Sequence, residues 1–185
     1  MARSIMVSKM TMPPRYRKLV LTIHVSASVG WLGAIGCFLV LALIDISRQE
    51  TEMVRAAYFA MNWIGWWVLV PLSFGSLLTG LIQSLGTEWG LFRHYWIFFK
   101  LVINLLANVV LLLFMLRLSA MVTTIIQSPA APVGELRSPS PLLHASVALL
   151  LLLAATVLSV YKPRGLTPHG WRKQQERRTP LAVSS

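Results

Sequence analysis

The sequence predicts an all-α, polytopic membrane protein: a bundle of four transmembrane helices in up-down-up-down order, with both termini on the cytoplasmic side. Three observations predict it. Hydrophobic residues make up 56% of the 185-residue chain and charged ones only 12%, about half the share found in soluble domains. The apolar residues gather in four runs, Leu19–Ile44, Trp63–Leu85, Tyr95–Leu116 and Leu142–Tyr161. At roughly 20 to 26 residues, each is long enough to cross the ~30 Å hydrocarbon core of a bilayer. Finally, the basic residues collect at particular ends of these runs.

The stretch 1–18 reads as a short tail carrying Arg3, Lys9, Arg15, Arg17 and Lys18. Pro13-Pro14 prevents the first helix from extending back through it. The first run is too long for the apolar region of a secretory signal, and no small-x-small cleavage site follows it. It holds Cys37, the only cysteine, so no intramolecular disulfide forms. Ser26, Gly30 and Ala34 form one row of small residues at four-residue spacing. Gly33 with Cys37 forms another, and Ser76 with Gly80 repeats the pattern on the second run. Such rows let helix backbones approach closely in lipid, and the face on the first run also suits a homodimer.

The connection Asp45–Asn62 is charged and has room for a short surface helix around Glu52–Ala60. Trp63, Trp66 and Trp67 then fall where an outer interfacial belt belongs, and Trp89, Phe92, Tyr95 and Trp96 where an inner one does. Between the third and fourth runs, "QSPAAPVGELRSPSP" carries four prolines, which predict an extended loop. The tail 162–185 has too few apolar residues for a core and carries Lys162, Arg164, Arg172, Lys173, Arg177 and Arg178.

These basic clusters, with Arg93 and Lys100 at the start of the third run, explain the net charge of +11. Cytoplasmic segments accumulate Lys and Arg, which places both termini and the middle loop on the cytoplasmic side of the cell's inner membrane. Nucleic-acid binding is excluded, because the charges are not interleaved with aromatics on a soluble surface. The expected partners are membrane lipids, with anionic headgroups at the basic tails.

Ionisable groups within a bilayer are costly and mark functional candidates. His24 lies about 7–8 Å into the first span, and Lys100 lies as deep in the third from the same side. Asn104 and Asn108 follow Lys100 at four-residue steps, so the third span presents a polar seam to the bundle. Ser76 and Thr79 on the second span, and Thr156 and Ser159 on the fourth, fall at comparable depth. A polar chamber lined from four helices follows.

An imidazole in such a chamber is a ligand for haem iron, and Trp31 with the nearby glycines suits a flat macrocycle. Lys100 is then a second axial group, a partner for a haem propionate, or a proton donor. The cofactor candidates are therefore His24, Trp31, Lys100 and Asn104, with haem b as the group bound. Two other readings stay open. In one, the chamber only fastens helices, with Lys100 reaching to the headgroups; in the other, the chain is a metal or small-solute permease.

His144 starts the fourth span about 20 Å from His24 in depth, too far to share one iron. His94 lies in the inner loop and His169 in the tail. No paired-cysteine zinc pattern, HExxH or phosphate loop is present, and Asp45 is the only carboxylate bordering a span.

The pattern His24-x6-Trp31-x-Gly33 resembles the first span of several small bacterial membrane families. One comprises uncharacterised four-span integral membrane proteins. Another holds the haem-binding membrane protoporphyrinogen oxidases, and a third the membrane domains of copper-resistance proteins. The oxidases also carry a Trp-x-x-Lys-Leu-like motif, to which Trp96 and Lys100-Leu101 are similar with one more residue between them. The resemblance implies His24 as haem ligand and Lys100 as second ligand or catalytic partner. The longer spacing makes it point to haem binding more than to the oxidase reaction. Copper handling fits less well, because Met1, Met6, Met10 and Met12 lie in the tail.

Overall fold

The computed structural model describes residues 12–47, 50–86, 95–128, 138–161, 167–168 and 171–172. Every described element is helical: α1 (Pro14–Ser47), α2 (Thr51–Ile64), a π-helical turn (Gly65–Leu69), α3 (Val70–Gly86), α4 (Tyr95–Gln127) and α5 (Ser140–Tyr161). The segment Thr51–Gly86 runs as one rod, giving four helices long and apolar enough to cross a membrane. The predicted proline-rich loop and the two tails fall mainly outside the described residues.

Three of the four rods exceed a bilayer's needs. α1 has 34 residues, about 51 Å at 1.5 Å per residue, against a hydrocarbon core of ~30 Å. The rod Thr51–Gly86 has 36 residues and α4 has 33. Only α5, with 22, matches a single crossing. The extra length of α1, α2 and α4 forms a helical collar at one end of the bundle.

α1 and α4 face each other across the bundle, each packed against α2, α3 and α5. Trp31, Ile35 and Phe38 of α1 meet Tyr58 and Met61 of α2, Phe114, Met115 and Leu118 of α4, and Leu152 of α5 in one core. Phe38 and Phe114 touch edge to face with centroids 5.8 Å apart. The outward surface is apolar as well, with Val29, Val40, Leu105, Leu113 and Leu150 all exposed. A helix apolar all round is one surrounded by hydrocarbon.

α1 runs beside the second rod for nearly its whole length. The Met12 N–H bonds the Gly86 carbonyl at 3.3 Å, Ser28 and Ser76 share a 2.8 Å hydrogen bond, and Tyr58 donates to Asp45 Oδ2 at 2.9 Å. On the opposite side, Trp66 Nε1 donates to Ser119 Oγ at 2.8 Å, and that hydroxyl donates to Asn62 Oδ1 at 2.9 Å.

The surface helix expected around Glu52–Ala60 is real but differently placed. It begins at Thr51, continues into the apolar rod, and buries Val54, Arg55, Ala57, Tyr58 and Met61. This i, i+3, i+4, i+7 stripe faces the bundle, so the helix is part of the core's upper layer. The small-residue rows on α1 also divide. Ala34 is buried and Gly30 packs on Leu72, whereas Ser26, Gly33 and Cys37 are exposed. Ser76 and Gly80 do form a close contact face, against α1.

Candidate functional site

His24 is buried, 8% exposed, on the α1 face that meets α3. Its Nδ1 lies 3.0 Å from the Ser76 carbonyl oxygen and 3.1 Å from Thr79 Oγ1. A carbonyl only accepts, so Nδ1 carries the proton and donates. The Thr79 hydroxyl spends its own hydrogen on the Gly75 carbonyl, which leaves its oxygen to accept from the imidazole too. The ring is thereby held as one tautomer, with the lone pair on Nε2. No described protein group hydrogen-bonds Nε2.

Local sequence makes this seat possible. Ser76, Thr79 and Gly80 share a face of α3 through three- and four-residue spacing. Gly80 lies directly under the ring: a Cβ there would come 3.1 Å from His24 Cε1. The neighbouring Ser28–Ser76 bond and the bond from Gln83 Nε2 to the Val20 carbonyl, 3.2 Å, fasten α1 to α3 on either side.

Lys100 is half-buried near the start of α4. Beyond Lys100, Asn104 is 6% exposed and Asn108 2%. Asn108 Nδ2 donates to the Asn104 carbonyl at 2.8 Å, while Oδ1 of both asparagines has no protein partner. Trp31 is 2% exposed and packs in the apolar core, with its indole Nε1–H likewise unpartnered.

The fourth span contributes less than its sequence implies. Thr156 is exposed and bonds the Leu152 carbonyl of its own helix, and half-buried Ser159 bonds that of Ala155. Both hydroxyls satisfy themselves locally, as Ser and Thr in helices commonly do. His144 accepts no role near His24. It bonds the Ser140 carbonyl at 2.8 Å and stacks on Phe114 at 4.8 Å. His94 and His169 lie outside the described residues.

Two features escaped the sequence reading. Asp45, 1% exposed, is held by Tyr58, 0% exposed, in the collar. A signal existed in the stripe Val54-Ala57-Tyr58-Met61, which marks a buried face on what reads as a surface helix. The second is a cleft of about 600 Å³ lined by Phe59, Asn62, Trp63, Trp66, Trp67, Val122 and Ile126. It lies beside the π turn, away from His24. Among the described residues, no group of three or more His, Cys, Asp or Glu side chains is placed to hold a metal ion.

Comparison with protein-family models, curated proteins and solved structures finds no match to this chain.

Proposed function

We propose that this chain is a multi-pass inner-membrane protein, four helices up-down-up-down with both termini cytoplasmic, whose His24 would hold the iron of a b-type haem or related tetrapyrrole. The observation that carries the reading is the anchored imidazole. An Nδ1–H donated to a backbone carbonyl, with Nε2 left as the ligand nitrogen, is the orientation in which proteins present histidine to a metal. The donor set therefore fits the group. Bound there, a haem supplies one-electron redox chemistry, in electron transfer or on a porphyrin substrate.

The chain's own residues have distinct tasks in this reading. Ser76 and Thr79 fix the ring's tautomer and direction. Gly80 leaves the room the ring occupies. Lys100 brings a cationic side chain to the same level, suited to a propionate carboxylate. Asn104 and Trp31 offer polar groups further along the seam. The apolar helices around them exclude bulk water, which strengthens each polar interaction within.

The test is colour. Protein purified from haem-replete cells should show a Soret band and reduced-minus-oxidised α and β bands. His24→Ala should abolish them while the protein still inserts, and Lys100→Met should shift them. Colourless wild-type protein sinks the reading. A C-terminal reporter active only on the outer side would overturn the topology.

A second reading is favoured by the bonds that His24 and Ser28 make to Ser76. In it the chamber is a non-enzymatic clasp between α1 and α3. It predicts that His24→Ala lowers thermal stability in protein that was colourless from the start.

A further inference from the structure

The cleft beside the π turn has a volume of about 600 Å³, within the ~300–1,000 Å³ of small-molecule sites. The second rod supplies Asn62 and three tryptophans to its wall, and α4 supplies Val122 and Ile126.

The π turn shapes the aromatic part of that wall. In a regular α-helix Trp63 and Trp67 stand about 40° apart around the axis. The wider turn at Gly65–Leu69 reduces that offset. The two indoles stack, with centroids 6.2 Å apart and planes 18° from parallel. Trp63 is 65% exposed and Trp67 71%, so the pair keeps ring surface open to a ligand.

Trp66 is tied to α4 instead. Its indole N–H goes to Ser119 Oγ, and the Ser119 hydrogen goes to Asn62 Oδ1. This relay fixes the direction of the Asn62 amide. Oδ1 is taken, and Nδ2 keeps two N–H donors for which no described residue is an acceptor.

Three properties of the wall select the occupant. No lining residue is charged, so a phosphate or ammonium headgroup meets no counter-charge. Stacked indoles favour a flat ring. The Asn62 amide requires an acceptor, and a carbonyl is a neutral one. An acyl chain offers neither ring nor acceptor, and a lipid ester offers the acceptor without the ring. A neutral planar ring bearing carbonyl oxygens matches all three properties.

We propose that this cleft binds the head group of a membrane-soluble quinone, with one carbonyl accepting from Asn62 Nδ2 and the ring lying against the Trp63–Trp67 pair. The proposal goes beyond the haem reading and does not depend on it. The cleft lies away from His24, and colourless protein would bind the same ring.

The probe is an azido-para-benzoquinone with a decyl tail, photolysed against the full chain in phosphatidylcholine nanodiscs. Labelling should saturate and map to peptides spanning 59–67 and 122–126. Decylbenzoquinone should displace the probe at about one-fifth of the concentration that carbonyl-free decylbenzene requires, the ratio expected of one neutral hydrogen bond. Asn62→Ala should bring the two competitors level. Trp63→Ala combined with Trp67→Ala should weaken both; these rings are exposed, so the unfolding midpoint should hold. Labelling that rises in proportion to the probe, or spreads over exposed Leu105, Leu113 and Leu150, overturns the proposal, because lipid then fills the cleft. So does a competitor ratio that Asn62→Ala leaves unchanged.

Discussion

Gly80 is where one methyl group reports on how His24 is seated. A Cβ there would come 3.1 Å from His24 Cε1, 3.6 Å from Nδ1 and 3.9 Å from Nε2. Carbon atoms rest comfortably at about 3.5 Å or more, so Gly80→Ala requires the ring to retreat by roughly 0.4 Å. Its Nδ1 bonds already measure 3.0 and 3.1 Å, and the retreat carries them past the ~3.2 Å limit of good geometry. Weakening them costs about 1 kcal/mol, while replacing glycine by alanine inside a helix returns about as much. Gly80→Ala should therefore be near neutral overall. Gly33 and Gly36 are the internal controls: a Cβ at either meets nothing within 4 Å, so each alanine should show the gain alone, about 0.5–1 kcal/mol. The assay is reversible unfolding in mixed micelles, paired with the 15N shift of the His24 imidazole. If Gly80→Ala gains as much as Gly33→Ala and the imidazole signal stays put, His24 is not seated on α3.

The other expectations concern the bundle around the site. Tyr58→Phe should cost about 1–3 kcal/mol, because it removes a hydrogen bond to a buried carboxyl group; a neutral result in thermal unfolding would mean that Asp45 does not depend on it. Ser119→Ala breaks the relay from Trp66 through Ser119 to Asn62 and should cost about 0.5–1.5 kcal/mol, given that interhelical bonds in membranes average ~0.6 kcal/mol each. Unfolding midpoints check this, with exposed Thr156→Ala as a variant that should stay within ~0.5 kcal/mol of the wild type. Gly65→Ala puts a methyl onto the tip of Met115 and should cost about 1–3 kcal/mol. Combining it with Met115→Ala should recover part of that cost, and strict additivity of the two would deny the contact.

What could be read from the sequence follows the physics of each element. The four long apolar helices were legible because hydrocarbon demands long uninterrupted apolar runs, and the runs around Leu19–Ile44 and Leu142–Tyr161 carry no Lys, Arg, Asp or Glu. α2 was legible only as a surface helix, since Glu52 and Arg55 break the hydropathy signal although Val54, Tyr58 and Met61 turn inward. The seam Lys100-Asn104-Asn108 was visible from its four-residue step alone. Ser76 and Thr79 were legible by depth, but a bond to the Ser76 carbonyl is not, because every residue has one. Thr156 misled for the opposite reason: depth in the membrane says nothing about which way a helix is rotated. Trp31 read as a wall for a macrocycle, and its ring is buried in the apolar core.

The π turn bears on how this chain tolerates change in length. Inward-facing positions along the second rod recur at Met61, Gly65, Leu69 and Ser73, always four apart. In a regular α-helix a four-residue step overshoots a full turn by about 40°, so three steps would swing the inward stripe by about 120°. The wider π turn absorbs that drift, in effect housing one surplus residue. Removing a single residue between Gly65 and Leu69 would leave an ordinary α-helix with its inward stripe still aligned, shortened by about 1.5 Å. Removing two would rotate Ser76, Thr79 and Gly80 away from His24. The rod thus has a built-in allowance of one residue, and length variants at this point separate what the site needs in rotation from what it needs in reach.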